Sequence, residues 1–226
     1  MARGRAPQYD EQRALILSQA ARLFAQQGFM ATSMNQVAEA CGLSKAALYH
    51  YFRDKYALAA HIAETHVRQL FEVVMRAQAE CAEPRALLAL LIQRFVREYA
   101  SAQDAHRVLT EDVRFLAEED RQHILDVERE VVARFAQAMR ALRPELGARD
   151  LDKPLSMLLF GMINWLFTWF KPGRGLDYEQ LAPMVADLFL HGMLDMGLPA
   201  APTTVTPATP ARRRASPSTD TTRTPT

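Results

Sequence analysis

The residues best placed for chemistry are Lys45, Ala46 and Ala47, which open a helix of barely two turns behind the cap residue Ser44. A lysine can donate to guanine O6 or N7, and alanine methyls can touch a thymine methyl while permitting close approach to a groove floor. That chemistry requires a scaffold that delivers the first turn of the helix to base edges. The stretch Thr32 to Lys55, TSMNQVAEACGLSKAALYHYFRDK, has the pattern of one. Ser33 can N-cap a helix running from Met34, and Gln36 falls at the third helical position, completing a capping box. Val37, Ala38 and Cys41 supply its inward face. Gly42 stops the helix, because glycine takes the left-handed conformation at low cost. Leu43 can plug the corner. The second helix, Lys45 to Tyr51, turns Leu48 and Tyr51 inward, and Asp54 caps the helix after it. Two helices around a short glycine-containing turn form the helix-turn-helix pattern, whose second helix lies in the DNA major groove. A helix of that size is marginal in water on its own, so neighbouring helices must hold it.

Residues from about Arg13 to Leu58 closely resemble the DNA-binding domain of the TetR/AcrR family of bacterial repressors. The matching elements are AxxLFAxxGF (Ala20 to Phe29), Thr32-Ser33, VAEACGLSK (Val37 to Lys45), LYHYF (Leu48 to Phe52) and Asp54-Lys55. Asn35-Gln36 departs from the acidic-aliphatic pair more common in the family, which bears only on local contacts. The resemblance implies phosphate contacts from Thr32, Tyr49, His50 and Lys55. Gln36 is an additional candidate for a base or backbone contact, and the cap residues Ser33 and Ser44 complete the expected DNA-binding set. Tyr49 and His50 have an alternative role, packing against the helix that follows.

Composition sets the bounds. The 226 residues carry a net charge of +1, which conceals an asymmetry. Residues 1–60 hold seven Lys/Arg against four Asp/Glu, residues 61–198 sixteen against twenty-one, and residues 199–226 four against one. The excess of positive charge sits at the end that would face phosphates. The longest apolar stretch, Leu155 to Phe170, is broken by Ser156, Asn164 and Thr168, so no membrane span is expected. The N-terminus has no apolar signal core. Cys41 and Cys81 show no metal spacing and read as reduced thiols of a cytoplasmic protein. There is no phosphate loop, no HExxH motif and no base-orienter arrangement around the scattered serines and histidines. Neither an enzyme, a cofactor nor a metal is expected; His106 with Glu111 and Asp112 reads as a solvated helix face.

The pattern predicts an all-α fold of about nine helices, in which residues 1–55 form the DNA-binding domain and 56–198 a ligand-binding and dimerisation domain. Residues 199–226 hold a Pro/Thr-rich tail with too little apolar surface to fold. Helices are expected at Tyr9–Gln27, from Met34, at Lys45–Tyr51, Lys55–Cys81, from Pro84, within His106–Leu116, and at Asp120–Leu142. Two more should span about Pro154–Phe170 and, capped by Asp177 with Gln180, run on to about Met196. The segment Leu159 to Met193 resembles the C-terminal region of family members that sense acyl-CoA thioesters. Phe71, Phe95, Tyr99, Phe115, Phe160 and Trp165 could enclose an apolar acyl or aryl group, Asn164 could fix a carbonyl, and Arg174 could meet the coenzyme phosphates. Leu155, Leu158, Leu159, Met162, Leu188, Phe189, Gly192 and Met193 make more apolar surface than one small domain needs, and fit a four-helix homodimer interface. The expectation is a repressor released from a palindromic operator in double-stranded DNA by a small-molecule inducer, an acyl-CoA of fatty-acid or aromatic catabolism. The alternatives are a repressor of an efflux system sensing lipophilic drugs, or a helical interaction protein that does not act on DNA.

Overall fold

Side-chain caps fix where five of the helices begin. The structure, a computed structural model, describes residues 5–173 and 175–199. Helix α1 (Arg5–Gln27) ends at Gly28, whose φ of +89° is left-handed backbone. Ser33 and Gln36 form the expected capping box at α2 (Met34–Ala40), and the Ser44 hydroxyl accepts from Ala47 N–H to open α3 (Lys45–Tyr51). The Asp54 carboxylate accepts from Ala57 N–H to start α4 (Lys55–Glu80), a helix of 26 residues. Helix α5 (Pro84–Ser101) begins on proline, whose missing N–H has no partner in a first turn. Helix α7 covers Glu118–Leu142, and α11 (Tyr178–Asp195) carries the predicted Asp177–Gln180 capping box.

Three segments differ from expectation. The stretch expected as short helices within 106–116 is α6 (Gln103–Arg107), one π-helical turn (Val108–Asp112) and one 3-10 turn (Val113–Phe115). The single helix expected over 154–170 breaks at Trp165 into α9 (Asp152–Asn164) and α10 (Leu166–Trp169). A one-turn helix, α8 (Glu145–Ala148), follows Pro144, which sets the turn by its fixed φ. Among the described residues there is no strand. The predicted tail lies outside the described residues beyond Pro199.

Arg5 to Met196 lie in one compact unit. Helix α5 packs along α11 and against α4 and α7, while α4 also meets α1. The centre is aromatic: Phe95 and Phe135 meet edge-on at 4.8 Å, and Phe160 lies 5.0 Å from Phe135. All three are buried, which contributes roughly 1.5–3 kcal/mol each. Helix α4 therefore runs from the helix-turn-helix into this core as one rigid element.

Candidate nucleic-acid interface and buried cavity

The corner between α2 and α3 is closed by backbone bonds from Gly42 N–H to Glu39 O (3.0 Å) and from Leu43 N–H to Ala38 O (2.9 Å). Gly42 holds φ +65°, a conformation that strains any other L residue. Leu48 is fully buried beneath α3, and Tyr51 stacks on Tyr9 at 4.8 Å. These anchors leave Ser44, Lys45, Ala46, Tyr49 and His50 exposed on the outer face, with Ala47 half-buried beside them. One cation, two methyls, a phenol, an imidazole and a hydroxyl thus line the leading edge of α3, a donor set suited to base edges and phosphate oxygens.

Four expected DNA contacts are engaged elsewhere. Thr32 is 2% exposed, and its hydroxyl donates to Gly28 O at 2.9 Å. The Lys55 ammonium donates to the carbonyls of Phe29 (3.0 Å), Met30 (3.0 Å) and Thr32 (3.2 Å) and sits 4.7 Å above the Phe29 ring. Its three protons are accounted for, so Lys55 staples the α1–α2 loop to the start of α4. Gln36 Oε1 accepts from both the N–H and the hydroxyl of Ser33 (2.8 Å each), which ties Ser33 and Gln36 to the cap. A residue that sequence reasoning passed over faces solvent instead. Arg53, in the α3–α4 turn, has a side chain 77% exposed and only a loose ion pair with Asp54 at 3.5 Å. Its signal was available, as the sole basic residue between α3 and the cap Asp54.

Below this bundle, α4, α5, the α6–π segment, α7 and α9 line a partly open cavity of about 140 Å³. Phe95, Tyr99, Phe160 and Asn164 line it as expected, together with Val67, Leu70, His106, Leu109, Glu128 and Met157. Three expected members do not. Phe71 is half-buried one residue past Leu70, about 100° around α4. Phe115 turns toward the DNA-binding bundle and stacks on Phe29 (5.6 Å, 12°). Trp165, at the α9–α10 break, is 65% exposed. Arg174 lies outside the described residues.

A buried histidine pair was not anticipated. His66 Nε2 lies 3.2 Å from His106 Nδ1, and Tyr99 stacks on His106 at 3.6 Å. Burial lowers His66 to about 4, and burial together with the charge of His66 lowers His106 to about 3, so both are neutral near pH 7. Among the described residues, His66 Nδ1, His106 Nε2 and Asn164 Oδ1 are buried without a hydrogen-bond partner. Burial raises the Glu128 carboxyl to about 7, opposed by Arg129. The clue in the sequence was register: Ile62, His66 and Leu70 recur every fourth residue of α4, placing a histidine in an apolar stripe. Glu111 pairs with Arg107, and Asp112 is buried apart; no group of three potential metal ligands occurs among the described residues.

The expected interface residues divide. Leu155, Leu159, Phe189 and Met193 are buried within this chain, because they form the inner faces of α9 and α11. Leu158 (64% exposed), Met162 and Leu188 (68%) face out with Gly192, and Trp165, Trp169 and Met184 extend the same apolar stripes. No helix among the described residues is long and apolar enough to cross a membrane.

Comparison with known proteins accords with both halves of this geometry. The family model for bacterial regulatory proteins of the tetR family matches residues 16–62, and that for the tetracyclin repressor-like C-terminal domain matches residues 81–193. The HTH-type transcriptional repressor KstR2 of Rhodococcus jostii is 24% identical over 185 residues, covering 79% of this chain and 89% of that protein. A TetR-family transcriptional regulator from Bordetella parapertussis superposes with a TM-score of 0.76 at 35% identity, over 83% of this chain and 98% of its own. The structure of AibR in complex with isovaleryl coenzyme A and operator DNA matches with a TM-score of 0.70 at 26% identity, over 78% of this chain and 97% of its own. A helix-turn-helix with an exposed reading face, a helical domain around a cavity, and family matches to both parts lead to one conclusion: the chain belongs to the TetR family, DNA-binding transcriptional regulators and not enzymes.

Proposed function

We propose that this chain is a cytoplasmic repressor that binds a palindromic operator as a homodimer and is released by an acyl-CoA thioester. The observation that carries the reading is the shared use of α4. Its capped first turn is stapled into the helix-turn-helix bundle by Lys55, and its middle contributes Val67 and Leu70 to the cavity wall. A ligand that binds differently to two settings of α4 changes DNA affinity by the same free energy. The AibR complex with isovaleryl coenzyme A and operator DNA supports the ligand class, and the repressor KstR2 supports repression.

In this reading residues 1–55 bind DNA and 56–198 bind ligand and partner. Ser44, Lys45, Ala46 and Ala47 meet base edges, while Tyr49, His50 and Arg53 hold phosphates. The exposed stripes of α9–α10 and α11, around Leu158, Met162 and Leu188, pair across a twofold axis. The two α3 helices then lie about 34–36 Å apart, one DNA turn, which is why the operator must be a palindrome.

The test is a fluorescence-anisotropy titration of the protein bound to a palindromic duplex from its own upstream region. CoA thioesters, the matching free acids and cationic drugs are added in parallel. Release by thioesters alone is expected. Release by free acids or drugs, with thioesters inert, would overturn the ligand class and favour an efflux-type sensor.

A further inference from the structure

We infer that the inducer occupies two connected compartments: a small acyl or aryl group in the inner cavity, with its carbonyl on His106, and the coenzyme phosphates in a groove across α7 and α9 rimmed by Arg129, Arg140 and Lys153. The inference rests on the acyl-CoA reading above and sharpens it, because it limits the acyl group and places the coenzyme.

The inner limit is volume. The cavity holds about 140 Å³, and an apolar cavity of roughly 150 Å³ accommodates one benzene ring. An acyl or aryl group of about six heavy atoms fills it. A long fatty chain or a fused-ring acyl group does not fit without displacing Phe95 or Phe160, which pack edge-on at 6.0 Å.

The inner polar group is set by the histidines. Two neutral imidazoles share two protons, one of which occupies the His66–His106 bridge. The other resides at His106 Nε2, within reach of the Asn164 amide, or at His66 Nδ1, with the Gln69 amide near that ring. Neither nitrogen has a partner at full hydrogen-bond geometry among the described residues, so a carbonyl can take the place of Asn164 on His106. His106 lines the cavity beside Asn164. A thioester carbonyl accepts from His106 Nε2–H, which fixes His66 Nε2–H as the bridge donor and satisfies a buried polar atom. The apolar remainder of the wall suits the hydrocarbon.

The outer compartment adjoins the inner one. A groove of about 510 Å³ shares Glu128, Val132 and Met157 with the cavity. Its rim bears three cations, Arg129, Arg140 and Lys153, against two lining carboxyls, Asp152 and Glu128, in a domain whose overall balance is acidic. Arg140 pairs with Asp152 and Arg129 with Asp126, while Lys153 is exposed with no ion pair among the described residues. Phosphate oxygens accept from guanidinium groups at least as well as carboxylates do, so these pairs hold the cations in place and yield to the coenzyme. Val132 and Met157 supply an apolar floor for the linker between acyl group and phosphates.

The test uses the full chain with isovaleryl-CoA, phenylacetyl-CoA and palmitoyl-CoA, by isothermal titration and operator release, in the parent and in the Arg129→Ala/Lys153→Ala double variant. Both substituted side chains are exposed, and an unchanged melting curve and unchanged ligand-free operator affinity verify the fold. The expected result is palmitoyl-CoA at least tenfold weaker than the two small thioesters, and at least tenfold loss of small-thioester affinity in the variant. Equal binding of palmitoyl-CoA, or an undiminished variant, overturns the two-compartment site while the acyl-CoA reading stands. Failure of all three thioesters to bind the parent overturns that reading and this inference with it.

Discussion

Replacing Lys55 by methionine keeps the length of the side chain and removes its ammonium, which separates two roles that a basic residue near DNA can have. In the structure the ammonium donates to three carbonyls and lies over the Phe29 ring. Charge-assisted hydrogen bonds are worth about 1.5–3 kcal/mol each when fully buried, but water reaches the Met30 carbonyl, so a net loss of about 2–3 kcal/mol is expected for the set. For a domain of this size that lowers the melting temperature by roughly 4–12 °C. DNA affinity measured well below the melting transition should keep its salt dependence, because no phosphate contact has been removed. A lysine bound to phosphate would behave in the opposite way: its loss flattens the log–log salt slope by about 0.9 per contact, or about 1.8 per dimer, with little change in stability. Circular-dichroism melting and anisotropy titrations at four salt concentrations decide between the two. An unchanged melting temperature with a slope reduced by that amount would refute the staple and restore the phosphate contact.

Arg53→Ala should give the complementary result, a salt slope shallower by about 0.9 per subunit and a melting temperature within roughly 2 °C of the parent, since its side chain is exposed. If footprinting titrations find no loss of affinity, Arg53 is not a phosphate contact. Glu128→Gln tests the buried carboxyl. Burial raises its pKa from 4.5 to about 7, so the folded state holds a proton that the unfolded chain releases, and stability is lost as pH rises through about 7. The glutamine variant should be more stable than the parent near pH 8 by up to about 3 kcal/mol, with the difference shrinking as pH falls toward 4.5. His66 and His106 act in the reverse sense, since burial lowers both: their contribution is present above 6.5 and is lost on acidification. Urea unfolding from pH 5 to 8 reads both slopes, and a glutamine variant no more stable at pH 8 would contradict the assignment. Phe115→Ala removes the stack on Phe29 and should shrink the ligand-induced change in operator affinity at least threefold; an unchanged ratio argues against that route.

Legibility of the sequence varied with the range of the physics involved. The helix-turn-helix could be read residue by residue because its limits are local: Ser33 with Gln36, Gly42, Ser44 and Asp54 each act within a few positions of themselves. The same holds for Pro84 and for Asp177 with Gln180. The role of Lys55 was not legible, because it depends on carbonyls of a loop 23 to 26 positions away, and the burial of Thr32 follows from the packing of that same loop. The cavity was half legible. Aromatic residues at helical spacing identify a core, but which ring faces a void depends on the rotation of five helices at once, so Phe95 and Phe160 line the cavity while Phe71 and Phe115 do not. The apolar excess on α9 and α11 signalled burial without saying by what. Leu159 and Met193 serve this chain's own core, while Leu158 and Leu188 stay exposed on its surface.

The misplaced Phe115 bears on how the two ends of the molecule communicate. His106, Leu109 and Thr110 line the cavity from α6 and the π-helical turn that follows. Such turns carry one residue more than an α-helix needs, and they occur often at functional sites because the extra residue can be taken up or released at modest cost. The chain then makes a 3-10 turn and presents Phe115 to Phe29, in the loop that Lys55 staples to α4. Two routes therefore run from the cavity to the DNA-binding bundle. One is α4 itself, which carries His66, Val67 and Leu70; the other is the π turn, through Phe115 and Phe29 to the Lys55 staple. Both end at the first turn of α4, next to the α3–α4 junction and Arg53. Under the proposed function, a ligand that moves either wall of the cavity would reach the same hinge, and the angle of α3 would follow from a single rigid-body setting of α4 and its staple, with no change needed inside the helix-turn-helix.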